Sequence, residues 1–181
     1  MNILAISGSV RMQSANSDIL KAVAALLPTD VQYHIYTGLE TLPHFNPDRN
    51  GELSPAAVND FRALLRNADA VIICTPEYAF NLPGVLKDAL DWIVSSGEFT
   101  NKPTAVISAS PLATGGEKAL ASLLQTLRVM GARCPNELTL AIPFVKKKID
   151  DRGMITDAAT IGQLAALMER FLQLAGETME W

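Results

Sequence analysis

The chain has 181 residues, 49% of them hydrophobic, which suffices to bury a sizeable core within a single domain spanning residues 1–181. A net charge of −4 and a pI near 5.1 argue against nucleic acid or an anionic membrane as the main partner. The two cysteines lack metal-ligand or redox spacing, and the first residues lack the pattern of a signal peptide. We therefore expect a cytoplasmic protein with no membrane insertion, no metal site and no disulfide.

Strand-like and helix-like segments alternate along the chain. The predicted strands are residues 2–7, 31–36, 70–75, 104–108 and 137–142. The predicted helices are residues 17–27, 54–67, 83–95, 117–130 and 157–175. Residues 37–53, rich in Pro, Asn and Gly, are expected to form a surface loop. The continuously apolar strands and the alternation predict a doubly wound α/β fold, with a five-stranded parallel sheet covered by helices on both faces.

The expected strand order is 2-1-3-4-5, taken by analogy with other doubly wound folds. In that order a crevice opens at the carboxyl ends of strands 1 and 3, where the order reverses. The loops after strands 1, 3 and 4 should meet there. These loops are residues 8–16, 75–84 and 108–116, and each has an unusual composition.

The loop after the first strand is suited to a phosphate. It leads into a helix N-terminus, where backbone N–H groups and the positive end of the helix dipole attract anions. Ser9, Ser14 and Asn16 add hydrogen-bonding side chains, and Arg11 adds a guanidinium that matches phosphate oxygens. The spacing is neither a P-loop nor a dinucleotide fingerprint. An ordinary strand–helix turn with a solvated Arg and a Ser N-cap is the alternative at this loop.

The second and third loops are suited to a flat, partly polar ligand. Two prolines bracket the second loop, and Tyr78 and Phe80 can lie against a ring system or another subunit. Gly115 and Gly116 allow the third loop to approach a ligand closely. Each feature alone has a structural explanation, but three such loops at one crevice favour a ligand site.

Two motifs in these loops resemble the NADPH-dependent FMN reductases of flavodoxin-like fold, which include quinone, chromate and azo-dye reductases. The family pattern Gly-Ser-x-Arg-x-x-Ser-x-Asn occupies residues 8–16. The pattern Pro-Glu-Tyr, then Pro-Gly-x-Leu-Lys-Asn-Ala-x-Asp-Trp, occupies residues 76–78 and 83–92, with Asp88 in place of the usual Asn. Ala79 and Asn81 stand where many members have Asn and Ser. The resemblance extends from the first strand to the last helix.

This resemblance implies FMN as cofactor and NADPH or NADH as electron donor. Hydride would pass to the flavin and then, in ping-pong order, the electrons would reach quinones or similar small acceptors such as chromate, azo compounds or free flavin. No catalytic side chain is expected, because the flavin carries the chemistry. A homodimer or homotetramer with the flavin near a subunit boundary is also implied.

The resemblance also implies which residues hold FMN. Residues of the first loop would hold the phosphate, and those of the second loop would run along the isoalloxazine, mainly through backbone contacts. The third loop matches the family more loosely. The predicted cofactor-binding residues are Ser9, Arg11, Ser14, Ala15, Asn16, Pro76, Glu77, Tyr78, Ala79, Phe80, Asn81, Ser108, Gly115 and Gly116.

Two other functions compete with this interpretation. A non-enzymatic electron carrier like flavodoxin is the first, although the phosphate loop lacks flavodoxin's Thr-rich pattern. A hydrolase is the second, but the sequence contains neither a Gly-x-Ser-x-Gly elbow nor a Cys-x5-Arg loop.

Several charged features are expected to be structural. His34 and His44 should lie away from the crevice, and the basic run 146–148 should be a solvated loop. Lys87 and Asp91 are spaced as a surface ion pair on one helix.

Overall fold

The computed structural model describes residues 1–178, so the last three residues of the predicted domain lie outside it. Its strands are β1 (Asn2–Ser7), β2 (Gln32–Tyr36), β3 (Ala70–Thr75), β4 (Thr104–Ala109) and β5 (Thr139–Ile142). Its α-helices are α1 (Ala15–Ala24), α2 (Ala56–Asn67), α3 (Gly84–Asp91), α4 (Glu117–Val129) and α5 (Ala158–Thr178). The strands form one parallel sheet in the order β2-β1-β3-β4-β5. The predicted fold class and strand order are confirmed.

Both faces of the sheet are buried, which explains why its central strands are apolar without interruption. Every side chain of β3 and β4 is buried. Because successive side chains of a strand point to opposite faces, alternate residues enter two cores. One core packs under α2, α3 and α4, and the other packs under α1 and α5.

All five helices differ from their predicted bounds by at least one residue, and for two of them the structure gives the reason. The first begins at Ala15 instead of residue 17, because Ser14 caps it: the Ser14 Oγ accepts a hydrogen bond from the Asn16 N–H at 3.3 Å. The third ends at Asp91 instead of residue 95. Beyond it the chain tightens, and the Ile93 N–H donates to the Leu90 carbonyl at 2.9 Å.

The long segment 37–53 lies mostly exposed at the surface, as predicted, but parts of it are packed against the core. It contains three short 3-10 turns and buries Leu39 in the core. The indole Nε1 of Trp92 donates to the Pro43 carbonyl at 2.8 Å. The rings of Phe45 and Trp92 meet edge to face, with centroids 5.1 Å apart. Apolar residues spaced among the turn-forming ones account for this packing.

Cys74 and Cys134 are buried free thiols. Burial raises the pKa of the Cys134 thiol to about 11 and raises the pKa of the Cys74 thiol further still. Among residues 1–178, no helix combines the length and the apolar character needed to cross a membrane.

Candidate functional site

A cavity of about 770 Å³ lies at the carboxyl ends of β1 and β3, where the strand order reverses. The loops after β1, β3 and β4 and the segment after β5 form its walls. Part of the predicted cofactor-binding set lines it: Ser9, Arg11, Ser14, Ala15, Asn16, Pro76, Glu77 and Tyr78. The structure thus brings the first two predicted motifs together.

The first loop presents unpaired donors to this cavity. The backbone N–H groups of Met12, Gln13 and Ala15 have no hydrogen-bond acceptor within residues 1–178. All three residues line the cavity. Ala15 begins α1, so its N–H belongs to the first turn, where the helix itself offers no acceptor. Unpaired donors and the positive end of a helix dipole are the features that attract anions to helix N-termini.

Three buried polar side chains shape the same loop. Ser9, Ser14 and Asn16 are each less than one-tenth exposed. The Ser9 Oγ accepts a hydrogen bond from the Arg11 N–H at 3.3 Å, which fixes the bend of the loop. The Arg11 side chain is exposed and forms no hydrogen bond or ion pair with the described residues. It is therefore available to a ligand.

The side chain of Asn16 is oriented by a hydrogen bond from a thiol near the end of β3. The Cys74 Sγ donates to the Asn16 Oδ1 at 3.3 Å. Burial raises the pKa of this thiol, so it keeps its proton and remains a donor. Because the amide oxygen is occupied, the Asn16 Nδ2 is left to donate toward an anion in the cavity.

Glu77 anchors the second loop to the N-terminus of α4. Its Oε2 accepts hydrogen bonds from the backbone N–H groups of Lys118 at 2.9 Å and Ala119 at 3.1 Å. A carboxylate in this position is favoured by the helix dipole and satisfies two first-turn donors. The Glu77 side chain is thus engaged in fixing the loop, and its backbone is the part left to face a ligand.

The residues after Tyr78 form a strained reverse turn. The N–H of Tyr78 and that of Asn81 each donate to the other residue's carbonyl at 3.0 Å. Ala79 and Phe80 between them have φ values of 49° and 60°, in the left-handed region. The Asn81 Oδ1 holds the turn by accepting from the Leu82 N–H and the Ser122 Oγ, both at 2.8 Å. Ala79, Phe80 and Asn81 do not line the cavity.

The third loop is built around its two glycines. The Ser108 Oγ donates to the Gly115 carbonyl at 2.8 Å. A Cβ on Gly115 would lie 3.0 Å from the Ile142 backbone, and one on Gly116 would lie 3.3 Å from the Ser108 Cβ. Both glycines also have positive φ values. These three residues do not line the cavity, where Ala109 and Pro111 represent this loop. Their contact with FMN stays a prediction.

The segment after β5 contributes a wall that the sequence interpretation missed. Residues 145, 146 and 149–153 line the cavity. Lys146 is exposed, as expected of a solvated loop, but it also lines the cavity, which was not expected. Its neighbours point elsewhere: the Lys147 Nζ lies 5.6 Å from the Phe144 ring centroid, and the Lys148 Nζ donates to the Thr160 Oγ1 at 3.0 Å. The available signal was topological, since this segment also follows the carboxyl end of a parallel strand.

The remaining charged features lie where the sequence placed them. His34 and His44 are exposed and do not line the cavity, and the His44 Nδ1 lies 2.7 Å from the Asp88 Oδ2. Lys87 and Asp91 form the expected ion pair at 2.5 Å. At an exposed position such a pair contributes little to stability.

Comparison with known proteins agrees with the geometry. The family model of NADPH-dependent FMN reductases matches residues 1–147. An NAD(P)H-dependent FMN reductase of Pseudomonas aeruginosa is 33% identical over 159 residues, covering 87% of this chain and 85% of the relative. A quinone reductase of Pseudomonas putida is 33% identical over 175 residues, covering 94% of this chain and 92% of the relative.

A solved structure shares the whole architecture. FerB of Paracoccus denitrificans, described as a flavoenzyme NAD(P)H:(acceptor) oxidoreductase, superposes with a TM-score of 0.87. It is 27% identical, and the alignment covers 98% of both chains. Both motifs of the cavity loops fall within the residues that the family model matches. The chain belongs to the NADPH-dependent FMN reductase family.

Proposed function

We propose that this chain binds FMN in the cavity and passes electrons from NAD(P)H to quinones or similar small acceptors in two successive half-reactions. Membership of the family makes FMN its cofactor and NAD(P)H its electron donor. The acceptor class, the order of the half-reactions and the residue contacts are the proposal. Homo-oligomeric assembly, a cytoplasmic location and a single-domain organisation stay predictions.

The cavity fits FMN at its phosphate end, and this observation carries the proposal. Unpaired backbone N–H groups at the N-terminus of α1 lie beside the exposed guanidinium of Arg11 and the amide of Asn16. A phosphate monoester needs several donors and a compensating positive charge, and this loop supplies both. We assign the phosphate to Ser9, Arg11, Ser14 and Asn16, as the sequence indicated.

The second loop fits the ring end of the cofactor. Pro76 and Tyr78 line the cavity, and the Glu77 carboxylate holds their backbone rigidly against α4. A fixed loop keeps its backbone donors and acceptors aimed in one direction, which lowers the cost of ordering them when a ligand binds. Bound there, FMN supplies the two-electron chemistry, and the protein supplies position and electrostatics.

We propose that no side chain of the cavity acts as a general acid or base, because the flavin carries the chemistry. The cavity lining contains no His or Cys. The Asp18 carboxylate pairs with Lys21 at 3.0 Å, and the Glu77 carboxylate is bound to backbone N–H groups. In this proposal the side chains bind and orient, and the absence of a catalytic residue stays a prediction.

Aromatic side chains favour a flat acceptor. Tyr78 is half exposed at the cavity, and Phe80 is nearly three-quarters exposed at the adjacent turn. Exposed rings in these positions can stack on a quinone. The related quinone reductase of Pseudomonas putida is consistent with this class of acceptor. A flavin with a single open face, beside Tyr78, would admit the nucleotide and the acceptor in turn but not together.

Steady-state kinetics test this proposal. NADPH oxidation is measured with a water-soluble benzoquinone at several fixed concentrations. Sequential occupancy of one face predicts parallel double-reciprocal lines. Intersecting lines would show that donor and acceptor bind together, and negligible turnover by FMN-loaded protein would favour the electron-carrier alternative.

A further inference from the structure

Cationic side chains outside the phosphate loop also line the cavity, together with the carboxylates of Asp18, Glu77, Asp150 and Asp151. Lys146 and Arg152, from the segment after β5, line it together with Arg11. The two come to the site because the chain between β5 and α5 folds over the first turn of α1. At their point of contact, a Cβ on Gly153 would lie 2.9 Å from the Asp18 carboxyl group.

Arg152 lies on a turn that is fixed by its own hydrogen bonds. The Asp150 Oδ1 accepts from the N–H groups of Arg152 at 2.9 Å and Met154 at 2.8 Å. The Gly153 N–H donates to the Asp150 carbonyl at 3.0 Å, and Ile149 pairs with Ile155 as an antiparallel bridge. The turn is therefore built independently of the side chain at position 152.

Lys146 and Arg152 are free cations in this site. Within residues 1–178, neither side chain forms a hydrogen bond or an ion pair, whereas Lys21 pairs with Asp18 and Lys148 pairs with Asp157. Asp151 lies between Asp150 and Arg152. Its carboxylate also lines the cavity without a hydrogen-bond or ion-pair partner among the described residues. The segment after β5 thus offers two cations, Lys146 and Arg152, and one carboxylate, Asp151, to a ligand.

This charge pattern matches the one chemical difference between the two electron donors. NADPH carries a phosphate on its adenosine ribose where NADH carries a hydroxyl. Arginine and lysine bind such a phosphate, and a carboxylate accepts a hydrogen bond from the hydroxyl. Under the proposed function, the FMN phosphate is bound by the N-terminus of α1 and by Arg11, so it does not require Lys146 or Arg152.

We infer that Lys146 and Arg152 bind the ribose phosphate of NADPH, and that Asp151 beside them favours the hydroxyl of NADH. The segment after β5 is then the part of the chain that sets nucleotide preference. This inference rests on the proposed function, because it assumes that the nucleotide enters the same cavity as FMN.

Nucleotide selectivity of the FMN-loaded enzyme tests it. The variants are Lys146→Gln, Arg152→Gln and Asp151→Asn, with Lys147→Gln as the matched control because Lys147 packs on Phe144 and does not line the cavity. The ratio of kcat/KM for NADPH to that for NADH should fall about three- to tenfold for each cation variant, as expected for loss of one exposed charge-assisted contact. The ratio should rise for Asp151→Asn and stay unchanged for Lys147→Gln.

A binding measurement separates this inference from the proposed function. Calorimetric titration of the FMN-loaded protein with 2′,5′-ADP and with 5′-AMP needs no turnover. The cation variants should weaken 2′,5′-ADP selectively. Equal weakening of both ligands, an unchanged selectivity ratio, or loss of FMN in place of nucleotide would overturn the inference. Wild-type protein that binds no FMN would instead overturn the proposed function.

Discussion

At the scale of single residues, the phosphate loop depends on hydrogen bonds that reach across the sheet. Asn16 takes its orientation from Cys74 of β3, 58 residues later in the chain. The motif in residues 8–16 was recognisable from the sequence because its donors are local. The thiol beneath it was not, since an apolar strand residue shows no sign of hydrogen bonding until the strands are paired.

The Arg11→Ala variant tests the phosphate assignment. Loss of a charge-assisted contact should raise the dissociation constant of FMN by roughly ten- to hundredfold, corresponding to about 1.5–3 kcal/mol. Because the Arg11 side chain is exposed and forms no hydrogen bond or ion pair within residues 1–178, folding should be unaffected. Fluorescence titration measures the dissociation constants of FMN and of riboflavin, which lacks the phosphate and is therefore the control ligand. An equal loss of riboflavin affinity would show that Arg11 does not act through the phosphate.

At the scale of elements, the sequence predicted which segments are helices and strands better than it predicted what the loops do. Apolar strands and amphipathic helices carry their signals in local periodicity. Glu77 was expected along the isoalloxazine through its backbone, which stays a prediction, but nothing in the sequence indicated that its carboxylate caps α4, 41 residues away. Segment 37–53 lies at the surface as expected, but its attachment through the Trp92 indole and the Phe45 ring was not predicted. Such long-range contacts cannot be recognised from local composition.

The start of α5 gives a prediction for the pH dependence of stability. The Asp157 Oδ2 accepts hydrogen bonds from the Thr160 N–H at 2.9 Å and its Oγ1 at 2.6 Å. These bonds to the Thr160 side chain and backbone, with Lys148 nearby, lower the pKa of Asp157. A carboxyl group with a lowered folded-state pKa contributes stability above its unfolded pKa, and this contribution is lost as pH falls through the folded value.

Urea unfolding of the Asp157→Ala variant measures this contribution. At neutral pH the variant should unfold at a lower urea concentration than the wild type. The difference should persist down to a pH of about 4, the ordinary pKa of Asp, and shrink below it. A difference that stays constant under more acidic conditions would contradict the assigned role of the charged carboxylate.

At the scale of the whole molecule, the parallel sheet brings four loops to one end and leaves aromatic side chains exposed beside them. Tyr78 lines the cavity, Phe80 is exposed on the adjacent turn, and Leu53 of segment 37–53 is also largely exposed. Exposed apolar groups of this kind are typical of surfaces that contact another subunit. The homodimer or homotetramer expected from the sequence remains a prediction, which light scattering of the FMN-loaded protein would measure.

The central claim is that the cavity at the switch between β1 and β3 holds FMN by its phosphate. Titration of the flavin-free wild-type protein with FMN, followed by flavin fluorescence and absorbance, tests it most directly. The account predicts saturation at one FMN per chain and clearly weaker binding of riboflavin, because only FMN reaches the donors at the N-terminus of α1. Absence of saturable binding, or equal affinity for FMN and riboflavin, would contradict it.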